Sequence, residues 1–510
     1  MVMFMSKKIK YYIFFLLVFI LTFCIFSFFR YDNIDLNVDD VILNHNLNEK
    51  LVYDVFIDGV RCSYDKNSDI YYFSSKEFKN DKIKFVSSHD VKYLIYSVED
   101  NMYKVLVYNN EDYEIITISI NDIPIVDISD MYDFNFFSVN ESFFHPLDFN
   151  DSSIEENEQS VGVHIHNINL NNGLNDYTSL GSFGVRGASS QIFDKKSYKL
   201  TLQKKLGFDH IKDDTVWVLD ALYMDPSKIR NLLSTYMWNS INDNQKINND
   251  LHGTFVEVFI NNEYRGLYVL KEKVDSSVVN LSNDGLLLKS TGHLFPYQLD
   301  SFFESPYYIK DDSILNFEIK KMNNEIINEF IPKMLTYHSN VYSYKIVNDT
   351  YDIENYLNYK IFVSLISGED NVTSNQYYSM NDVDSNILIT PWDMDLTWGL
   401  YWNSNKSIFS EFDENRDFDY DWMNENITKN MDDEMKKLLK DRYFQLRKSV
   451  ITIDTINTYI DSYKDVLLNS GVVERDSTRW YRYDIEFEIN NIKNWARKRI
   501  YFLDDYYSNI

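Results

Sequence analysis

The sequence predicts an α+β protein: a small β domain followed by a larger unit whose first half is built of strands and whose second half is helical. Three observations carry this. Between residues 50 and 122, short runs alternate apolar and polar residues and are parted by Asp, Asn, Ser and Gly. Runs of the same kind continue from 123 to about 275 around one helix-like segment, DPSKIRNLLSTYMWNSI. From about Asn324 onward, apolar residues recur at helical spacing instead.

The N-terminus stands apart from this scheme. From Tyr11 to Phe29 the chain carries no charge, close to the length that crosses a bilayer, and Lys7, Lys8 and Lys10 precede it. With Asp32, Asp35, Asp39 and Asp40 beyond, the asymmetry predicts a single transmembrane helix within 1–30, its N-terminus cytoplasmic and the rest of the chain outside. A cleaved signal peptide is the competing reading. The apolar run is longer than a usual signal core and lacks a small-x-small cleavage site, and Phe23 before Cys24 spoils lipoprotein processing. Residues 31–49 read as an acidic, Asn-rich spacer.

Composition narrows the classes further. A chain of 510 residues with 45% hydrophobic and 16% aromatic content has the surface for a sizeable core and is not a disordered chain. Its net charge of -28 excludes a general nucleic-acid binder, which needs a basic face. Basic protein partners or bound cations suit such a charge, although a solvated surface explains most of it. Cys24 and Cys62 are the two cysteines, so there is no internal disulfide framework.

Within 50–122 the expected strands are LVYDVFIDGV, DIYYF, KIKFV, VKYLIYSV, MYKVLVYNN and YEIITISI, arranged as small antiparallel sheets and suited to a spacer or adhesion module. Pro124 opens the larger unit, 123–510, with strand-like VGVHIHNINL, SYKLTLQKK, TVWVLDAL, TFVEVFI and RGLYVLKEKV. In the inserted helix Asp225 is the expected N-cap and Pro226 the first turn. The amphipathic segments that follow are NEIINEFIPKMLTYHSNVYSY, ENYLNYKIFVSLISG, DEMKKLLKDRYFQLRKSV and NNIKNWARKRIYFLDDYY. A strand half followed by a helix half predicts two lobes.

Chemistry concentrates in DNVTSN at 370–375 and PWDMDLTWG at 391–399, separated by the strand-like NILIT. Phosphoryl transfer needs a carboxylate for the acceptor hydroxyl, an amide oxygen on metal, and a second carboxylate on the metal that bridges phosphates. Protein kinases supply these as Asp-x-x-x-x-Asn, a strand pair and a further Asp before Gly. That order assigns Asp370 as base or orienting residue, Asn375 as a Mg²⁺ ligand, Asp393 as the principal ligand and Asp395 close by. Paired Asp in a loop is otherwise a turn or cap. Trp392, Leu396 and Trp398 surround these two with apolar groups, where a carboxylate needs compensation.

Upstream, GVRGASSQIFDKKSYKLTLQKK sets Gly184, Gly187 and two serines before a Lys-rich strand, a backbone-and-cation arrangement that suits nucleotide phosphates. Arg186 and Lys196 are the candidate cations. Lys199, Lys204 and Lys205 fit an exposed strand face, and Lys195 shares that alternative. Arg230, one turn into the helix, either meets phosphate or pairs with an acid. A hairpin at Asn261-Asn262 leads to Glu272 and Asp275, where a hinge would meet adenine through backbone groups, with Glu272 the candidate there. No His-rich set accompanies Asp393 and Asp395, which disfavours a metal-dependent hydrolase.

RGASS…DKKSYKL, WVLDALYMDPSKIRN, VEVFINNEYRGLYVLKEKVD, and DNVTSNQYY with ITPWDMDLTWG together resemble, block by block and in order, the spore-coat protein H (CotH) kinase family over about residues 125–505. The resemblance implies a two-lobed atypical protein-kinase-like fold and Mg²⁺- (or Mn²⁺-) and ATP-dependent phosphorylation of Ser/Thr in proteins, typically basic, Ser-rich coat components. By position it implies phosphates near Arg186 and Lys196, the catalytic carboxylate at Asp370, and metal at Asn375 and Asp393. Whether Lys195 or Lys196 meets phosphate stays open, and Glu257 in VEVF is the acid offered as that lysine's partner. A surface adhesin or assembly factor that keeps the fold without catalysis is the alternative. The Asn-Val-Thr sequon at Asn371 lies within the expected catalytic loop and favours a setting without N-glycosylation.

Overall fold

The computed structural model describes residues 50–130 with short breaks between 76 and 100, 159–166, 176–207 less 188, 213–242, 250–292, and 317–510 less 339–341, 402–426 and 482, plus the short pairs 46–47, 309–310 and 313–314. The expected anchor, 11–29, lies outside them. Among the described residues no helix is long and apolar enough to cross a membrane. The chain divides into two compact units: 1–147 with 164–178 and 259–264, and the remainder.

The first unit holds β1 (Val52–Ile57), β2 (Ile70–Ser74), β3 (Ile83–Ser87), β4 (Lys92–Glu99), β5 (Met102–Tyr108) and β6 (Asp112–Asn121). These match the six alternating runs. In β6, Ile116, Ile118 and Ile120 share one face by the period-two rule, and they pack with Val55, Phe73, Val105 and Val107 in a closed core. The sheets are not wholly antiparallel as expected, because β2 pairs with β6 in parallel. The chain between them passes through the other sheet, where β3 pairs with β1. That crossover returns β6 in the same direction as β2, which a hairpin cannot do.

Seven further strands form a closed barrel: β7 (Ile125–Asp130), β8 (Gln159–His166), β9 (Tyr177–Arg186), β10 (Ser197–Leu206), β11 (Asp214–Asp220), β12 (Gly253–Ile260) and β13 (Tyr264–Glu272), in the order β7-β8-β9-β10-β11-β13-β12. The sheet lobe expected from sequence is a closed barrel, and closure removes exposed sheet edges. Helix α1 (Arg230–Asn242) lies between β11 and β12 in sequence. It begins later than the Asp-Pro signal suggests. The Asp225 carboxylate accepts the N–H groups of Ser227 and Arg230, and Lys228 takes φ +64°, so 225–229 is a turn that leads into the helix.

A second sheet contains β14 (Leu286–Thr291), β15 (Phe317–Lys321), β16 (Ser374–Met380) and β17 (Leu388–Pro391), in the order β15-β14-β16-β17. Around it come α2 (Asn324–His338), α3 (Ile353–Ile366), α4 (Asp433–Leu446), α5 (Ile453–Asn469), α6 (Val472–Arg479) and α7 (Ile485–Asn509). Asp352, Asp432 and Asp484 cap α3, α4 and α7 by accepting a backbone N–H three residues on. Helix α3 packs against α1, α4 and α7 and ends at left-handed Ser367, which releases the chain directly into Asp370.

Helix α6 is bound to the barrel strands by two buried ion pairs. Asp476 accepts Lys195 Nζ and the Leu267 N–H, each at 2.8 Å, and Arg475 makes a two-pronged contact with fully buried Glu257 at 2.8 and 2.9 Å. Glu257 therefore partners an arginine and not the lysine expected for it. Gly266 is required here: its φ is +97°, and a Cβ would lie 2.2 Å from Asp476 Oδ1. Truncation of Asp476 to Ala would leave the Lys195 ammonium buried without its counter-charge. The expected loss is about 3–5 kcal/mol, read as a lowered urea midpoint; an unchanged midpoint would show that the pair does not hold α6.

Candidate functional site

Strands β16 and β17 pair antiparallel with Gln376 opposite Pro391, and one step further the Trp392 N–H donates to the Asn375 carbonyl at 2.9 Å. Asn375 and Asp393 therefore leave the sheet side by side at the same end. Both adopt left-handed backbone, φ +48° and +55°, which Asn and Asp enter more readily than other side chains though at some cost, and which a surrounding bond network can fix. The constraint is Asn371. Its buried carboxamide Nδ2 donates to the carbonyls of Trp392 (2.8 Å) and Asn375 (3.2 Å), while the Asn371 main-chain carbonyl accepts from Tyr359 (2.7 Å) and Gln376 (2.6 Å). Asp370, immediately before it, opens the one-turn helix Asp370–Thr373.

A lysine from the barrel meets this end. On β13, Lys271 lies opposite Val218 of β11, so Asp220, two residues on, shares its face. Lys271 Nζ donates to Asp220 Oδ2 at 2.6 Å and stands 3.8 Å from Asp393 Oδ1. It also lies 4.8 Å from the centre of the Trp392 ring, and the Arg186 guanidinium lies 5.5 Å from it. Asn231 of α1 donates to Asp220 at 2.9 Å.

Charge is crowded here. Burial pushes Asp395 well above the ordinary carboxylate range, Asp393, Asp220 and Asp370 push it further, and Lys271 opposes them. Burial also raises Asp370, with Glu369 and Asp393 adding to it. For Asp220 burial acts in the same sense, but Lys271 and the Leu222 N–H outweigh it and bring its pKa below the usual value. Burial lowers Lys289 of β14, which the Asp393 and Glu318 carboxylates oppose.

Asp370, Asn375, Asp393, Asp395 and Arg186 thus gather at one place. Lys196 and Glu272 make their contacts elsewhere, and Arg230 touches the Asp393 loop only at the Thr397 carbonyl, to which its Nε donates at 3.1 Å. Lys196 donates to the Gln191 carbonyl at 2.6 Å, and its neighbour Lys195 is the one that points inward, to Asp476. Arg230 takes the acid-pair alternative: its guanidinium is fully buried on Asp225. Glu272 follows Lys271 along the strand, so its side chain points to the opposite face, where it meets His252 at 3.0 Å. Sequence reasoning missed Lys271, Asp220 and Asn371. Lys271 did leave a signal, since a lysine inside a strand buried along its whole length requires an acid nearby.

The donor set fits a hard divalent cation. Neighbouring carboxylates help raise Asp395 and Asp370 beside a single ammonium, and oxygen ligands from Asp and Asn are those that Mg²⁺ takes. Among the described residues no three carboxylate, imidazole or thiol groups converge to hold a metal unaided. Magnesium commonly takes one or two carboxylates and completes its shell with water and substrate phosphate, so Asp393, with Asp395 and Asn375, would hold it in that manner.

The crowding has a cost that can be measured. Asp395 has a raised pKa in the folded state, so stability falls as pH rises from the unfolded carboxylate range, about pH 4, through that raised value, and the group has no effect below that range. Asp395→Asn is therefore expected to raise Tm at pH 7, with the gain vanishing as pH falls toward 4. A lower Tm at pH 7 would contradict the assignment.

Comparison with known families places these residues in a single matched region. The family model described as CotH kinase protein matches residues 183–503, from β9 into α7, which takes in every residue of the cluster. No curated protein matches the chain. The match extends over more than half of the sequence and includes the loops that bring the carboxylates together: the chain belongs to the CotH kinase protein family.

Proposed function

We propose that the chain is a Mg²⁺-dependent protein kinase of the CotH type, which transfers the γ-phosphoryl group of ATP to Ser or Thr of basic proteins. The observation that carries this reading is the meeting of Asp370, Asn375 and Asp393 at one end of the β16–β17 pair with Lys271 of the barrel 3.8 Å from Asp393. In this reading the barrel and the second sheet with its helices act as the two lobes of a kinase-like domain, and the 11–29 segment anchors the chain in a membrane with the domain outside the cytoplasm. Bound Mg²⁺ and ATP supply the phosphoryl group and neutralise its charge.

The protein's own groups do the rest. Asp393, Asp395 and Asn375 bind the cation through oxygen. Lys271, Arg186 and Lys289 supply positive charge for phosphate oxygens. Asp370 orients the acceptor hydroxyl and takes its proton, a role for which a raised pKa is suited. The net charge of -28 favours a basic acceptor protein.

Full-length protein in detergent, given labelled ATP, Mg²⁺ and a basic Ser-rich protein, is expected to transfer label, and Asp393→Ala to abolish transfer. Nucleotide-dependent stabilisation without transfer at any metal would instead select a binding module that keeps the fold. Because Asp370 must be ionised to act and its pKa is raised, kcat is expected to fall on acidification with a midpoint above the ordinary aspartate range. A flat profile down to pH 4 would remove Asp370 from the role.

A further inference from the structure

The loop that carries Asp393 and Asp395 is strained at both ends. Asp393 has φ +55° and Trp398 φ +53°, and neither is glycine. Such backbone persists where neighbouring groups over-determine it. Asn371 holds the first end, as described. The second end is held by α1, through two residues four apart and hence on one face of the helix, Arg230 and Ser234.

The hydrogen bonds at this end run in a single direction. Trp398 Nε1–H, which can only donate, gives to Ser234 Oγ at 2.9 Å. Thr397 Oγ1 donates to the Met394 carbonyl at 2.7 Å, so the 3.1 Å contact between Ser234 Oγ and Thr397 Oγ1 must have serine as donor. The relay therefore reads Trp398 to Ser234 to Thr397 to Met394, each hydroxyl accepting once and donating once. Its last acceptor lies between the two aspartates. Arg230 Nε adds a bond to the Thr397 carbonyl at 3.1 Å, and the guanidinium is itself fixed by Asp225 and by Ser227 Oγ at 3.0 Å. Ser234, Thr397, Trp398 and Arg230 are all fully buried, so none of them meets a ligand.

We propose that this relay makes Ser234 and Thr397 positioning residues: with Arg230 they hold the loop in the shape in which Asp393 and Asp395 bind a divalent cation, before the cation arrives. The inference rests on the metal-dependent reading above but concerns cation affinity, which is measurable without phosphoryl transfer. Partners of this kind, one step behind the ligands, commonly change metal affinity by 10–100-fold.

Mn²⁺ binding to the full-length protein, followed by electron paramagnetic resonance without nucleotide, provides the test. Thr397→Val keeps the side-chain shape and removes the hydroxyl; it is expected to weaken Mn²⁺ binding by about tenfold or more. Thr397→Ser keeps the hydroxyl and is expected to bind as the parent does, a rescue that a purely packing role would not produce. Ser234→Ala reads the same relay from its middle if Thr397→Val fails to accumulate, and should weaken binding similarly. Parent-like affinity in Thr397→Val or Ser234→Ala, with label transfer intact in the parent, overturns the inference and leaves the kinase reading standing. Weakened binding in these variants with no transfer by the parent overturns the kinase reading and keeps the inference. A parent that binds no Mn²⁺ overturns both.

Discussion

Much of this molecule's chemistry depends on one buried carboxamide. Asn371 spans the gap between the start of β16 and the residue after β17, giving the buried Trp392 carbonyl a donor and the Asn375 carbonyl a second one beside the Trp392 N–H. The tie brings acidic side chains close together at a half-buried end of the sheet. Like charges in such a place would separate the loops, so the covalent and hydrogen-bonded framework must resist them. Tyr359 and Gln376, which hold the Asn371 carbonyl, extend that resistance into α3 and β16. The glycosylation sequon that includes Asn371 is thus, in the folded protein, a structural element with its amide nitrogen already engaged.

The barrel contributes the opposite sign of charge. Lys271 takes its place through strand register alone, because Val218 opposite it puts Asp220 on the same face. Trp392 offers one aromatic ring to two cations, Arg186 and Lys271, and its backbone continues directly into Asp393. A single residue thereby links the cationic side to the acidic loop.

Local pattern in the sequence gives the strands of the first unit and most helices, since alternation and Asp caps are properties of adjacent residues. The relation of Asp370, Asn375 and Asp393 is legible for the same reason: one hairpin of short length joins them, so spacing along the chain determines spacing in space. Closure of the barrel is not legible, because it depends on which distant strand β7 and β12 find. The parallel pairing of β2 with β6 escaped for a like reason. Lys271 was passed over in favour of the lysines beside Gly184 and Gly187, although glycine turns are common and a lysine within a wholly buried strand is not. Position along the chain leaves Arg230 between phosphate and an acid and offers Glu272 at a hinge; the turn at 225–229 puts Arg230 on Asp225, and strand alternation turns Glu272 to His252.

The Lys195–Asp476 pair has a consequence for biosynthesis. Its members lie 281 residues apart in the chain, so the barrel's buried ammonium leaves the ribosome long before its carboxylate. At ordinary rates of synthesis that interval is on the order of 15 to 60 s, during which the early strands exist without the helix that completes them. The nascent chain must be kept from aggregating through that interval, and a product shortened by a few dozen C-terminal residues never reaches the state in which the charge is matched.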